Sequence, residues 1–303
     1  MKFCLSAAAT LIVALLLAGT ALANGQRHPL HRTSLSLYER DASVTRLADQ
    51  GCAAARRDES GIVVLDFGKP SYAHHEYGTL DFSNEFISNH EITMGMLGWA
   101  RGYVRCLPRY SNAFVTLARG TSNYYPSVPS IGAAGKHWAG AVLTLERKLR
   151  RNGLAAHVRS AAADDAEPAW DRSFNQTFLF IHGFRKWSHG RTLYDYGSLD
   201  GGVGSIWSAT QVMYVTGGKG PSAVLPEIYY PSQAAQWAQL AYIAHRWFHR
   251  RLHFAGVMTQ GSPSCDCGYR PHAAHRALVR ELKKVDTGRR IRVPRVGTTI
   301  VSG

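Results

Sequence analysis

The chain predicts an α/β fold of alternating parallel strands and helices, a (β/α)8-type, TIM-like barrel rather than an open doubly wound sheet. Three observations predict it. Short β-branched or aromatic runs alternate with helical patterns over about 200 residues, the pattern of βαβ units around a parallel sheet. The chain, at 303 residues, is long enough for the roughly 250 that a barrel takes. Neither of the glycine-rich phosphate-binding motifs common in open nucleotide-binding sheets follows any of the runs.

Taken in order, Met1-Lys2 and the apolar run Phe3–Leu17 precede Ala21-Leu22-Ala23, a charged, apolar and small-residue series that reads as a signal peptide over 1–23. The apolar run falls short of the roughly 20 residues that span a bilayer, so a secreted protein without a stable membrane anchor is expected. Residues 24–60 are polar with little periodicity and read as an N-terminal arm. A barrel domain is expected over 61–270, and a basic helix and tail over 271–303.

Within 61–270 the predicted strands are Ile62–Phe67, Phe114–Ala118, Ala156–Ala162, Thr192–Tyr196, Gln211–Val215, Ala223–Tyr229 and Phe254–Gln260. Between them, Ile92, Met96, Ala100 and Tyr103 share one helix face, and Trp138, Val142, Leu145 and Leu149 share another, which Asn152-Gly153 terminates. Phe174, Phe178 and Ile181 mark a shorter helix, and Ser232 caps one with a stripe from Trp237 to Phe248. Seven strands are one fewer than a barrel needs, and no helix is evident over Ser198–Thr210. The predicted barrel is therefore irregular in its second half.

Lys and Arg number 35 against 21 acids, a formal net charge of +14 and a pI near 9.8. That balance suits anionic surfaces such as cell-wall polymers, phospholipid headgroups or acidic polysaccharides. The basic residues are dispersed and accompany no nucleic-acid-binding motif, so no specific nucleic acid is expected as a partner. Cys52, Cys106, Cys265 and Cys267 remain after the leader, an even number that suggests two disulfides in an oxidising compartment. A Cys265–Cys267 bridge would close a very tight ring, so each of the two is expected to reach Cys52 or Cys106. The spacing lacks the paired C-x-x-C of structural zinc sites.

In a barrel the chemistry sits at the C-terminal strand ends. Asp66 ends the first predicted strand, Asp164, Asp165 and Glu167 follow the third, and Asp195 and Glu227 lie among aromatic and apolar neighbours. Asp165 and Glu167 are two apart, so an extended segment turns both to one side. Converging with Asp66, they can divide labour as a proton-holding general acid and an ionised partner. Trp170, Tyr72, Tyr124, Tyr194 and Trp207 are candidate sugar-stacking platforms, and Arg119 and Arg159 candidate partners for the acids. His74-His75 reads as an extended pair whose side chains diverge, so neither a metal nor another cofactor is expected. No G-x-S-x-G elbow supports a serine nucleophile.

A first-strand aspartate in Gly61-Ile-Val-Val-Leu-Asp66, with Asp165-x-Glu167 following 99 positions later, resembles the family-25, lysozyme-type glycoside hydrolases. Arg119-Gly-Thr-Ser-Asn123 and Leu225-Pro-Glu227-Ile-Tyr229 are similar to segments of secreted bacterial glycoside-hydrolase-like barrel proteins. The resemblance covers about Gly61 to Gln260. It implies a barrel that cleaves peptidoglycan or another extracellular polysaccharide, with Glu167 as general acid and Asp165 and Asp66 as further strand-end carboxylates. Asp164, Trp170, Asp195, Tyr194, Glu227, Tyr72 and Arg119 are then the expected substrate-binding residues. A barrel that binds glycan or the anionic wall without cleaving it is the alternative.

Overall fold

The computed structural model describes residues 32–217, 222–261, 269–285 and 291–303. The leader expected over 1–23, and Cys265 and Cys267, lie outside the described residues. Eight parallel strands form one curled sheet: β1 (Arg32–Tyr38), β2 (Gly61–Asp66), β6 (Val115–Gly120), β7 (Val158–Asp164), β8 (Leu193–Asp195), β9 (Ser222–Val224), β10 (Val257–Gln260) and β11 (Val296–Ser302). The hairpins β3 (Lys69–Ala73), β4 (Glu76–Leu80) and β5 (Phe86–Ser88) form a small antiparallel sheet after β2.

Neighbours in the large sheet follow chain order from β1 through β2 and β6 to β9, and β11 pairs with both β10 and β1. No reversal of strand order occurs, which is what separates this sheet from a doubly wound one. β9 and β10 share no continuous ladder. Two isolated bridges, Val224 with Phe254 and Glu227 with Met258, draw their edges together.

Among the described residues, seven helices cover the outside: α1 (Val44–Arg56), α2 (Asn89–Cys106), α3 (Ile131–Arg151), α4 (Asn175–Trp187), α5 (Ala209–Thr216), α6 (Pro231–Phe248) and α7 (Pro271–Lys284). Alternation within each strand divides the core. Ile62, Val64, Ala118, Ala161, Ala163, Tyr194 and Met258 fill the concave interior, while Val63, Leu65 and Leu117 pack outward under α1 and α2.

The segment read as a polar arm is part of the sheet. Ser34 and Ser36 face the interior, where the Ser36 hydroxyl accepts from Val64 N at 2.8 Å and bonds Thr298 Oγ1 at 2.8 Å. The buried face of β1 is therefore polar, and its outward Leu35 and Leu37 give no apolar run. β11 likewise lies beyond the expected 61–270 boundary, in the stretch read as a basic tail; Ile300 is fully buried in it.

A third correction concerns Gln211–Val215, which is the helix α5 rather than a strand. Ser208 and Gln211 form a capping box at its start, and the helix buries Val212, Met213 and Val215. His74 and His75 are not extended either. Both take positive φ, 50° and 62°, and make the two-residue turn between β3 and β4.

Cys52 is bonded to Cys106, which corrects the expected pairing of each with Cys265 or Cys267. The cause is the packing of α1 on α2. A Cβ on Gly51 would lie 2.0 Å from Trp99 O, and one on Gly102 would lie 1.8 Å from Ala48 O. Only glycine lets the two backbones come this close, which sets the cysteine Cα atoms 5.0 Å apart. No helix among the described residues is long and apolar enough to cross a membrane.

Candidate active site

A cleft of about 900 Å³ opens at the C-terminal ends of the parallel strands. Asp66 is the last residue of β2. Its Oδ1 accepts from Gly68 N at 2.8 Å, in a turn that requires glycine: Gly68 has φ +85°, and a Cβ there would meet Leu80 O at 2.2 Å. The Asp165–Glu167 segment carries β7 one step further. Asp165 N donates to Thr121 O at 2.7 Å, and Asn123 grips the next turn, accepting from Glu167 N at 3.0 Å while donating to Glu167 O at 2.9 Å and Thr177 Oγ1 at 3.0 Å. Glu227 follows β9 on the loop bridged to Met258, and the Tyr229 hydroxyl donates to its Oε1.

Asp165, Glu167 and Glu227 can each turn one carboxylate oxygen so that all three lie within 4.8 Å of one another. Among the described residues this is the group whose ligand atoms converge closely enough for a metal ion. It would give a hard cation three of its six or more oxygens, with water completing the shell.

Three carboxylates at this separation in a desolvated site cannot all ionise readily. Burial pushes Asp165 well up, with Glu227, Glu167 and Asp66 adding to it, and no hydrogen bond reaches its Oδ1. Glu227 is also driven well up by burial, against which the Tyr229 hydroxyl favours the anion. Glu167 is raised by burial and by Asp200, while Ser198 hydrogen bonds oppose the shift. Asp66 is pushed up to about 7 by burial, opposed by Gly68 N and the Tyr196 hydroxyl. Tyr38, raised by burial and by the same acids, remains a protonated donor at the cleft floor.

Trp170 and Tyr124 stand on the cleft rim, 41% and 48% exposed, with Phe82 from the β4–β5 turn beside them. Lys69 lies over the Tyr124 ring, 5.8 Å from its centroid, and Arg40 lines the same mouth. An acidic floor thus sits beneath an aromatic and basic rim.

Of the site residues and stacking platforms expected from the sequence, Asp66, Asp165, Glu167, Glu227, Trp170 and Tyr124 meet in the cleft. Six others do not line it. Asp164 and Asp195 alternate outward beneath the helices, where both are buried and burial raises both carboxyls, Asp195 to about 8. Tyr194 fills the sheet interior with Ala161 and Ala163. Tyr72 packs edge-on against Tyr77 in the small sheet, and Arg119 is buried against α2 and α3. Trp207 is also buried, donating Nε1 to Asp171 O at 2.7 Å.

Sequence reasoning missed Tyr38, Arg40, Lys69 and the pinning role of Asn123. Tyr38 and Arg40 follow from β1, whose polar inner face hid the strand. The chain matches no model of a known protein family and no curated protein.

Proposed function

We propose that the curled sheet is a (β/α)8-type, TIM-like barrel, irregular in its second half, and that the protein is a secreted glycoside hydrolase of cell-wall or other extracellular polysaccharide. The observation that carries this reading is the convergence of Asp165, Glu167 and Glu227 at the floor of an aromatic-rimmed cleft. The isolated bridges that draw the β9 and β10 edges together support the barrel-like reading, and the Cys52–Cys106 disulfide suits an oxidising compartment.

Carboxylates about 5–5.5 Å apart suit retention, whereas inversion needs about 6.5–9.5 Å to seat a water between them. One oxygen of each of the three carboxylates lies within 4.8 Å of the others, a close approach that favours retention. Glu167, the least enclosed of the three, donates its proton to the glycosidic oxygen as the bond to the anomeric carbon breaks. Glu227, raised by burial and held by the Tyr229 hydroxyl, passes its proton to the neighbouring acids of the cluster and then forms the bond to that carbon. Glu167 then takes a proton from water, whose oxygen displaces Glu227. Asp165 and Asp66 sustain the shared protonation, and Trp170 and Tyr124 stack against sugar faces.

The test is release of reducing ends from peptidoglycan and a polysaccharide panel by the purified protein beside Glu167→Gln. Release that falls at least a hundredfold in the variant supports the reading. Equal release by both removes Glu167 from the chemistry. No release, with retention on insoluble glycan, replaces hydrolysis by binding.

A further inference from the structure

Behind the sheet, away from the cleft, a buried cation has no anionic partner among the described residues. Arg119 on β6 is 1% exposed and points outward between α2 and α3. Its guanidinium donates to Asn89 O at 3.2 Å, to Asn89 Oδ1 and to Thr93 Oγ1 at 3.4 Å, and stacks on Trp138 with Cζ 3.9 Å from the ring centroid. Nε is buried without a partner. Asp164, the buried carboxylate two residues beyond Arg119's register partner Ala162, makes no hydrogen bond to it. Arginine stays charged in proteins, and a buried charge is costly unless an opposite charge offsets it.

The residues that hold Arg119 are also the floor of a surface groove. Asn89 and Thr93 line a depression of about 430 Å³ between α2 and α3, whose walls carry Lys136, Arg147, His90 and His137 and no carboxylate. The nearby acids are engaged elsewhere: Glu91 bonds Ser88 at the start of α2, and Glu146 pairs with Arg150 and Arg191. Lys136 and Arg147 are held in place, the first over the Trp187 ring at 4.4 Å and the second by Thr144 Oγ1 at 2.8 Å. Two positioned cations, two imidazoles and an uncompensated buried guanidinium beneath them form a field that one group would satisfy.

We propose that this groove binds an oxyanion of the phosphate type, free or carried on a polymer. Lys136 and Arg147 contact its oxygens, the imidazoles of His90 and His137 line its sides, and Arg119 supplies counter-charge from below through Asn89 and Thr93. The site is separate from the cleft and does not depend on what the cleft does.

Calorimetric titration of the whole protein with inorganic phosphate, and in parallel with a short polyphosphate, tests this. Charge-assisted contacts are the strong ones, so removing two of them in Lys136→Gln/Arg147→Gln is expected to weaken binding at least tenfold. Arg105→Gln/Arg109→Gln, which removes the same charge at exposed positions outside both the groove and the cleft, should bind as the parent does. Both these pairs leave Arg119 and the core untouched, so folding, followed by far-UV circular dichroism, is preserved. Saturable binding of both probes means that the group alone is recognised, and binding of polyphosphate alone means that a polymer carries it. No saturable binding of either probe, or equal weakening by the two double variants, overturns the proposal.

Discussion

Replacing Asp66 with asparagine removes an ionisable group from a place where the folded chain resists its charge. The carboxyl is 1% exposed, and burial lifts it from 3.8 to about 7 despite hydrogen bonds from Gly68 N and Tyr196. Between those two values the folded protein keeps a proton that the unfolded chain releases. Stability therefore falls as pH rises through that window and levels off above about 7. About three pH units at about 1.4 kcal/mol each give roughly 4 kcal/mol as the upper limit, since relaxation of the site reduces it. Asparagine can keep the Gly68 contact and carries no charge. Asp66→Asn is thus expected to match the parent near pH 4 and to exceed it by 1 to about 4 kcal/mol at pH 8. Urea unfolding of both proteins at pH 4, 6 and 8 measures the difference. A variant no more stable than the parent at pH 8, or one whose advantage grows on acidification, would refute the reasoning.

Other expectations follow from packing and from the rim. Cys52→Ser opens a loop of 54 residues, for which chain entropy gives a loss of up to about 4 kcal/mol in denaturant unfolding; a loss below about 1 kcal/mol contradicts the staple's role. Gly102→Ala forces α1 and α2 apart at a 1.8 Å contact and should cost more than about 2 kcal/mol, so a melting temperature equal to the parent's would disprove the close approach. Trp170→Ala removes an exposed platform and is expected to raise KM about tenfold with kcat and melting temperature nearly unchanged; a fall confined to kcat would assign Trp170 a different role.

The strands and helices of the middle of the chain were legible because their buried faces are apolar. β2, β6 and β7 show as short, mostly apolar runs, and the stripes of α2, α3 and α6 by their helical period. The ends of the sheet were not. In β1 the inward positions are Ser34 and Ser36, and their burial is satisfied by hydrogen bonds to both neighbouring strands, β2 and β11, rather than by apolar area. β11 was hidden in a basic tail, although its Val-Gly-Thr-Thr-Ile-Val run carries strand propensity. α5 was mistaken because Val212, Met213 and Val215 read as a strand once the Ser208–Gln211 capping box was overlooked.

In the site, the i, i+2 spacing of Asp165 and Glu167 and the strand-end position of Asp66 pointed into the cleft. The same alternation explains the failures: Asp164 and Asp195 are one residue out of phase, and so face the helices. Glu227 meets Asp165 and Glu167 from a loop bridged to Met258 of β10, a placement that no local pattern encodes.

The central claim concerns the separate duties of Glu167 and Glu227. It is tested most directly by cleavage of an aryl glycoside with a good leaving group by the parent, Glu167→Gln and Glu227→Gln. The sugar is that of the polymer from which the parent releases reducing ends. A leaving group that needs no proton should restore the first step in Glu167→Gln, leaving a burst of product followed by slow turnover, while Glu227→Gln stays inactive. Equal loss in both variants, or full activity in Glu227→Gln, would contradict the account.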